Sequence, residues 1–162
     1  MPEKKELVEK ARRLGKGYLR KYGGCAPGTL MAVAHTLNLE VSDEVFKAMM
    51  GFSSFAGVCG NVCGGIAEMG LRYGVGLEDF VKNPEIGFSS FAKLMTAAKV
   101  LREKFVKEYG GYLCDEVQTK LFGKCVMPTS PEELETFYEK CGSATENAAG
   151  WTVATILEMD EK

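Results

Sequence analysis

Residues 88–109, FSSFAKLMTAAKVLREKFVKEY, place Phe91, Leu94, Met95, Ala98, Leu101, Phe105 and Val106 at the three- and four-residue intervals of one helix face. The stretch predicts the longest helix of the chain, and Gly110-Gly111 stops it. The same rhythm continues on both sides. Upstream, Leu7, Ala11, Leu14 and Tyr18 mark an amphipathic helix over about 3–21, ended by Gly23-Gly24, and Pro27 stands like the first residue of a helix running through Leu37. Ser42 caps a short helix closed by Gly51, and a loop of small residues at 51–57 leads into a helix that reaches Tyr73 before Gly74. One further turn fits 77–81 ahead of the Asn83-Pro84 break. Downstream, Cys114 falls in the first turn of a segment that Gly123 stops, and Cys125 lies in a loop ending at Pro128. Ser130-Pro131-Glu132-Glu133 opens a helix to about Cys141, and Ser143-Ala144-Thr145-Glu146 repeats the capping pattern and starts a last helix through Leu157. No strand, repeat or linker stands out. The fold expected is all-α, a single-domain helical bundle over 1–162, with an N-terminal helix at about 3–21 and a cysteine-bearing bundle at about 25–158.

Composition narrows the function. With 46% hydrophobic and 26% charged residues the chain has the make-up of a globular domain, which argues against disorder. Twenty Lys and Arg against twenty-two Asp and Glu give a net charge of −2, so the basic footprint of a nucleic-acid binder is missing. No apolar run approaches the roughly 20 residues of a membrane span, and the charged start Met1-Pro2-Glu3-Lys4-Lys5-Glu6 does not read as a signal peptide. A cytoplasmic location is expected. What departs from the average is six cysteines beside nineteen glycines.

Without signs of export, cysteines in this number point to metal ligation or redox chemistry rather than to three disulfides. On the helix map Cys25, Cys59, Cys114 and Cys141 all fall at or just before helix N-termini, where free N–H groups and the helix dipole favour negative charge. A lowered thiol pKa is expected there, which suits a metal ligand, a nucleophile or the sulfurs of an anionic iron–sulfur cluster. Cys59 and Cys63, four apart on one helix face, add a pair able to ligate one metal or to cycle between dithiol and disulfide. They form neither the Cys-x-x-Cys of thioredoxin-type sites nor a zinc knuckle.

Cys59-Gly60-Asn61-Val62-Cys63-Gly64, followed by Met69-Gly70-Leu71-Arg72-Tyr73-Gly74, resembles the signature of the C-GCAxxG-C-C family of redox-active proteins. The resemblance spans about residues 25–157. It implies that Cys25 takes the place of the family's first cysteine, that Cys59, Gly60 and Gly64 form its motif and line a cofactor, and that Cys114 and Cys141 are its two later cysteines. Asn61 stands where the motif has alanine, and Cys63 and Cys125 are additional, secondary ligand candidates. Related modules in split-Soret cytochromes carry an iron–sulfur centre, so the resemblance implies a cluster held by Cys25, Cys59, Cys114 and Cys141.

Other chemistry is thin. His35 is the single histidine and reads as a packed or surface group, and eight methionines at helical spacing read as core. No nucleotide-binding fingerprint occurs. Three readings follow: an iron–sulfur protein for electron transfer or redox sensing; a metal-free thiol–disulfide oxidoreductase using Cys59 and Cys63 or two of the dispersed cysteines; and a structural zinc site or helical interaction module. The first two call for a redox partner protein or small electron carrier. A homodimer is compatible with all three; nucleic acid and membrane spans are not expected.

Overall fold

The computed structural model describes residues 2–53 and 57–161. Residues 54–56 of the expected small-residue loop, together with Met1 and Lys162, lie outside the described residues. Among the described residues there are helices and no named strand, as the periodicity predicts, but eight helices rather than the nine segments expected: α1 (Pro2–Tyr22), α2 (Cys25–Leu37), α3 (Asp43–Gly51), α4 (Gly60–Tyr73), α5 (Leu77–Lys82), α6 (Ile86–Tyr109), α7 (Cys114–Phe122) and α8 (Pro131–Asp160).

The ends follow from local chemistry. Gly23 at φ +71°, Gly110 at φ +83° and Gly123 at φ +78° supply the left-handed residue after α1, α6 and α7. Ser42 accepts a hydrogen bond from the Val45 N–H, and Ser130 accepts one from the Glu133 N–H. Glu133 closes its side of the cap one residue early, accepting from the N–H and hydroxyl of Thr129. Helix α2 starts at Cys25 rather than at Pro27, so the proline occupies the third helical position, where its missing N–H is still no loss.

A second expected boundary is corrected, and with it the expectation that the 88–109 stretch forms the longest helix: α6 has 24 residues and α8 has 30. The chain does not break after Cys141: α8 runs unbroken for 30 residues. The hydroxyls read as caps bond backward, Ser143 to the Lys140 carbonyl at 2.6 Å and Thr145 to the Cys141 carbonyl at 3.1 Å, so neither accepts from a downstream N–H. Gly142, Ala144, Thr145, Ala148 and Ala149 are instead a buried seam of small residues, and α1 lies along α8. Gly15 of α1 sits so close to this seam that an added Cβ would lie 2.7 Å from the Thr145 carbonyl oxygen. Removing the true cap with Ser130→Ala should cost about 1 kcal/mol, whereas Ser143→Ala should change stability by no more than about 0.5 kcal/mol. Thermal unfolding of the two variants checks this; equal losses would restore a helix start at Ser143.

Helix α2 is the centre, with nine residues buried, and packs against α1, α4 and α8. Helix α4 packs on α2, α6 and α8, and Val62, Met69, Leu101, Phe105, Val153 and Ile156 fill the space between them. Phe105, Tyr109 and Trp151 close one side of the core, with ring centroids 5.3 to 6.3 Å apart. Helices α3 and α5 bury no residue and lie on the outside. No helix of the described residues is long and apolar enough to cross a membrane.

Candidate functional site

Four cysteines distant in sequence meet at one end of this bundle. Cys25 is the first residue of α2, Cys59 is the residue before α4, Cys114 is the first residue of α7, and Cys141 lies inside α8. All four line one cavity of about 30 Å³. Val58, Val117, Phe52 and Phe137 supply its apolar walls. Cys59 and Cys141 are buried, and Cys25 and Cys114 are half-buried.

Two local devices bring the sulfurs together. The segment before α4 pairs with the segment before α7 through a single antiparallel bridge between Val58 and Leu113. Its hydrogen bonds, Cys59 N–H to the Tyr112 carbonyl at 2.9 Å and Cys114 N–H to the Gly57 carbonyl at 2.8 Å, hold the two cysteines side by side. The second device is the absence of side chains on α4 where it meets α2. A Cβ on Gly60 would collide with Cys25 Sγ and come within 3.0 Å of the Phe52 carbonyl oxygen. Gly64, one turn on, faces the Ala26 carbonyl, and its Cβ would lie 3.0 Å from Thr29 Cβ. Gly60 therefore lines the cavity, while Gly64 sets how closely the two helices cross.

The expected lowering of thiol pKa does not occur. Burial pushes the Cys25 thiol up, against the pull of the Ser53 hydroxyl and the N–H groups of Ala26 and Gly60. Burial pushes Cys59 up further, reinforced by the neighbouring Cys25, Cys114 and Cys141. Cys114 rises to about 11 by burial and by Cys25 and Cys125, and Cys141 rises through burial and through Cys25 and Cys114. The cost of taking a thiolate out of water exceeds what a helix start returns. Cys141 has no such start at all, because it sits mid-helix. The four groups are neutral thiols in the metal-free protein; a bound cation inverts that balance and takes them as thiolates.

Three side chains given no role by the sequence reading touch these sulfurs, the first being Ser53, whose hydroxyl oxygen accepts from Cys25 Sγ at 3.9 Å. Asn61 Nδ2 donates to Cys59 Sγ at 3.7 Å, and the Thr29 hydroxyl donates to Asn61 Oδ1 at 3.0 Å. Gln118 Nε2 donates to Cys114 Sγ at 3.6 Å, and the Val126 N–H donates to Gln118 Oε1 at 2.6 Å. Asn61 and Gln118 are almost wholly buried. The spacing of Gln118, four after Cys114 on α7, is a signal the sequence carries; Asn61 was visible only as a departure from a motif.

The two additional cysteines stand apart from the cavity. Cys63, in the first turn of α4, is half-buried and does not line it; burial and Cys25 raise its thiol to about 11. Cys59 and Cys63 thus face different surroundings despite their spacing. Cys125 is exposed in a groove of about 440 Å³ formed by the 122–128 segment and the start of α8. His35 is exposed on α2, its Nδ1 3.0 Å from the Tyr18 hydroxyl.

Among the described residues no three Cys, His, Asp or Glu side chains already stand at metal-holding separation. The donor set nevertheless fits a thiolate-bound metal centre: four thiols around one space, apolar walls, and amide N–H groups aimed at two of the sulfurs. No curated protein and no solved structure matches the chain. The family model described as "Putative redox-active protein (C_GCAxxG_C_C)" matches residues 24–155, a span that contains all four cavity cysteines, and the chain belongs to that family.

Proposed function

We propose that this chain is an electron-transfer or redox-sensing protein in which Cys25, Cys59, Cys114 and Cys141 hold an iron–sulfur cluster. The observation that carries the reading is the meeting of four thiols from four separate helices around one apolar cavity. Four thiolates are the usual ligand complement of a [2Fe–2S] or [4Fe–4S] centre, which when bound passes single electrons. The chain's own contribution is to place the ligands, exclude water with Val58, Val117 and Phe137, and direct N–H groups at sulfur. A cavity of about 30 Å³ has room for about one water-sized atom. Loading therefore requires the thiols to lose their protons and the walls to yield, and the Phe52 and Ser53 side belongs to a connection rather than to a helix.

Iron and acid-labile sulfide measured on protein purified without oxygen test this directly. The expected result is a coloured, iron-containing protein whose visible absorption is bleached by Cys59→Ser and largely kept by Cys125→Ser. Colourless, iron-free protein would overturn it. The small volume favours one second reading, a dithiol–disulfide couple among the cavity cysteines. Iron-free protein in which oxidant reversibly removes two thiols, mapped by alkylation to the four cavity cysteines, would establish that instead.

A further inference from the structure

We infer that Asn61 and Gln118 are positioning residues that set the reduction potential of the centre at Cys59 and Cys114, favouring its reduced form. The inference rests on the redox reading above and concerns a pair of side chains rather than the ligands. Each amide makes a second bond, and at Gln118 that bond fixes the orientation. At Gln118 the backbone N–H of Val126 donates only, so it must face Oε1, and Nε2 is left to face Cys114 Sγ. At Asn61 the Thr29 hydroxyl occupies Oδ1, and Nδ2 faces Cys59 Sγ. Thr29, Asn61 and Gln118 are at most 2% exposed, so water does not compete for these groups. Two buried amides would be costly ornaments around inert thiols, because a sulfhydryl sulfur is a weak acceptor. Their N–H dipoles become strongly favourable when the sulfur carries negative charge.

The direction follows from charge. Adding one electron to a thiolate-bound metal centre makes its sulfurs more negative, and reducing a disulfide with two electrons and two protons creates two thiols. At the metal centre the reduced sulfur therefore accepts an N–H bond better than the oxidised one, whereas a disulfide reduced to two neutral thiols gains no charge at sulfur and feels the amides little. Loss of either amide must then lower the potential of a thiolate-bound metal centre.

The experiment compares wild type with Asn61→Ala, Gln118→Met and Thr29→Val. Iron-loaded protein is titrated with a dithionite-reduced dye mediator; iron-free protein is equilibrated with reduced and oxidised glutathione. At a fixed poise Asn61→Ala and Gln118→Met should each lower the ratio of reduced to oxidised iron-loaded centre about tenfold, which is about 59 mV for one electron. Thr29→Val should act in the same direction by a smaller factor and add nothing in the Asn61→Ala background, since it acts through Asn61. Position 61 lies in the first turn of α4 and alanine is the strongest helix former, so that variant is expected to fold. Unchanged or raised potentials in both amide variants would overturn the inference while leaving an iron-loaded wild type as it is. In iron-free protein the same variants should leave the glutathione equilibrium within about twofold of wild type, because a neutral thiol is a weak acceptor; a tenfold shift there would overturn the charge argument and the inference with it. No redox couple on these cysteines at all would overturn both.

Discussion

Replacing Gly64 by alanine should lower the stability of the fold by about 1–2 kcal/mol, while the same change at Gly70, in the same helix, should raise it by about 0.5–1 kcal/mol. Helix propensity alone favours alanine at both positions by up to about 1 kcal/mol. Packing separates them. Around Gly70 no atom lies within 4 Å of an added Cβ, so only the propensity gain acts. At Gly64 the added carbon would run into the Ala26 carbonyl and lie 3.1 Å from the Ala26 carbonyl carbon. The obstacle is the backbone of the central helix, which cannot rotate away as a side chain could, so α2 and α4 must separate. Overpacking of this kind typically costs about 1–3 kcal/mol and outweighs the propensity gain. Because α2 begins with Cys25 and Cys59 precedes α4, the separation should also spread the cavity cysteines and weaken any metal they hold. Urea unfolding of both variants is the check, and a Gly64→Ala protein as stable as wild type would show that the crossing is loose.

The second large effect concerns Glu68, which is 1% exposed on α4 with neither carboxylate oxygen hydrogen-bonded. Burial without a partner raises its pKa to about 7 from the 4.5 of a free glutamate. The folded protein therefore binds this proton more tightly than the unfolded chain does. The contribution of Glu68 to stability is most favourable below about pH 4.5, where both states are protonated, falls as pH rises toward 7, and stays low above it. The full difference amounts to about 3 kcal/mol. Glu68→Gln keeps the shape and cannot ionise, so across this window its difference from wild type isolates this one group. It should match wild type near the acid end and exceed it by about 3 kcal/mol at about pH 8. Denaturant titrations of both proteins at the two ends of the window measure the difference. Parallel pH profiles would mean that Glu68 is paired or solvated in the native state.

Much of the architecture is legible in residue order because helix formation and helix stopping are local events. Gly23, Gly110 and Gly123 stop helices in the sequence reading and adopt left-handed backbone after them in the structure. Ser42 and Ser130 are caps in both. The same local reasoning misplaced a boundary at Ser143, because a hydroxyl followed by a glutamate caps a helix only where the N–H groups ahead of it are free. Within α8 those groups are already bonded, and the small residues around Gly142 gain more by lying against α1 than by turning. The thiol pKa expectation failed for a related reason: a helix start is visible in sequence, while the depth of burial that outweighs it is not.

The sequence by itself determined which helices form, where most of them stop, and that sulfur is the chemically unusual component of this protein. Periodicity, caps and glycines act over a few residues, so order alone suffices for them. Only the tertiary structure decided that Cys25, Cys59, Cys114 and Cys141 share a cavity while Cys63 and Cys125 do not. That outcome depends on the Val58 to Leu113 bridge, on the glycine contact between α2 and α4, and on the seam between α1 and α8. Each joins residues far apart along the chain, and such meetings are fixed by the packing of whole helices, which no local spacing records.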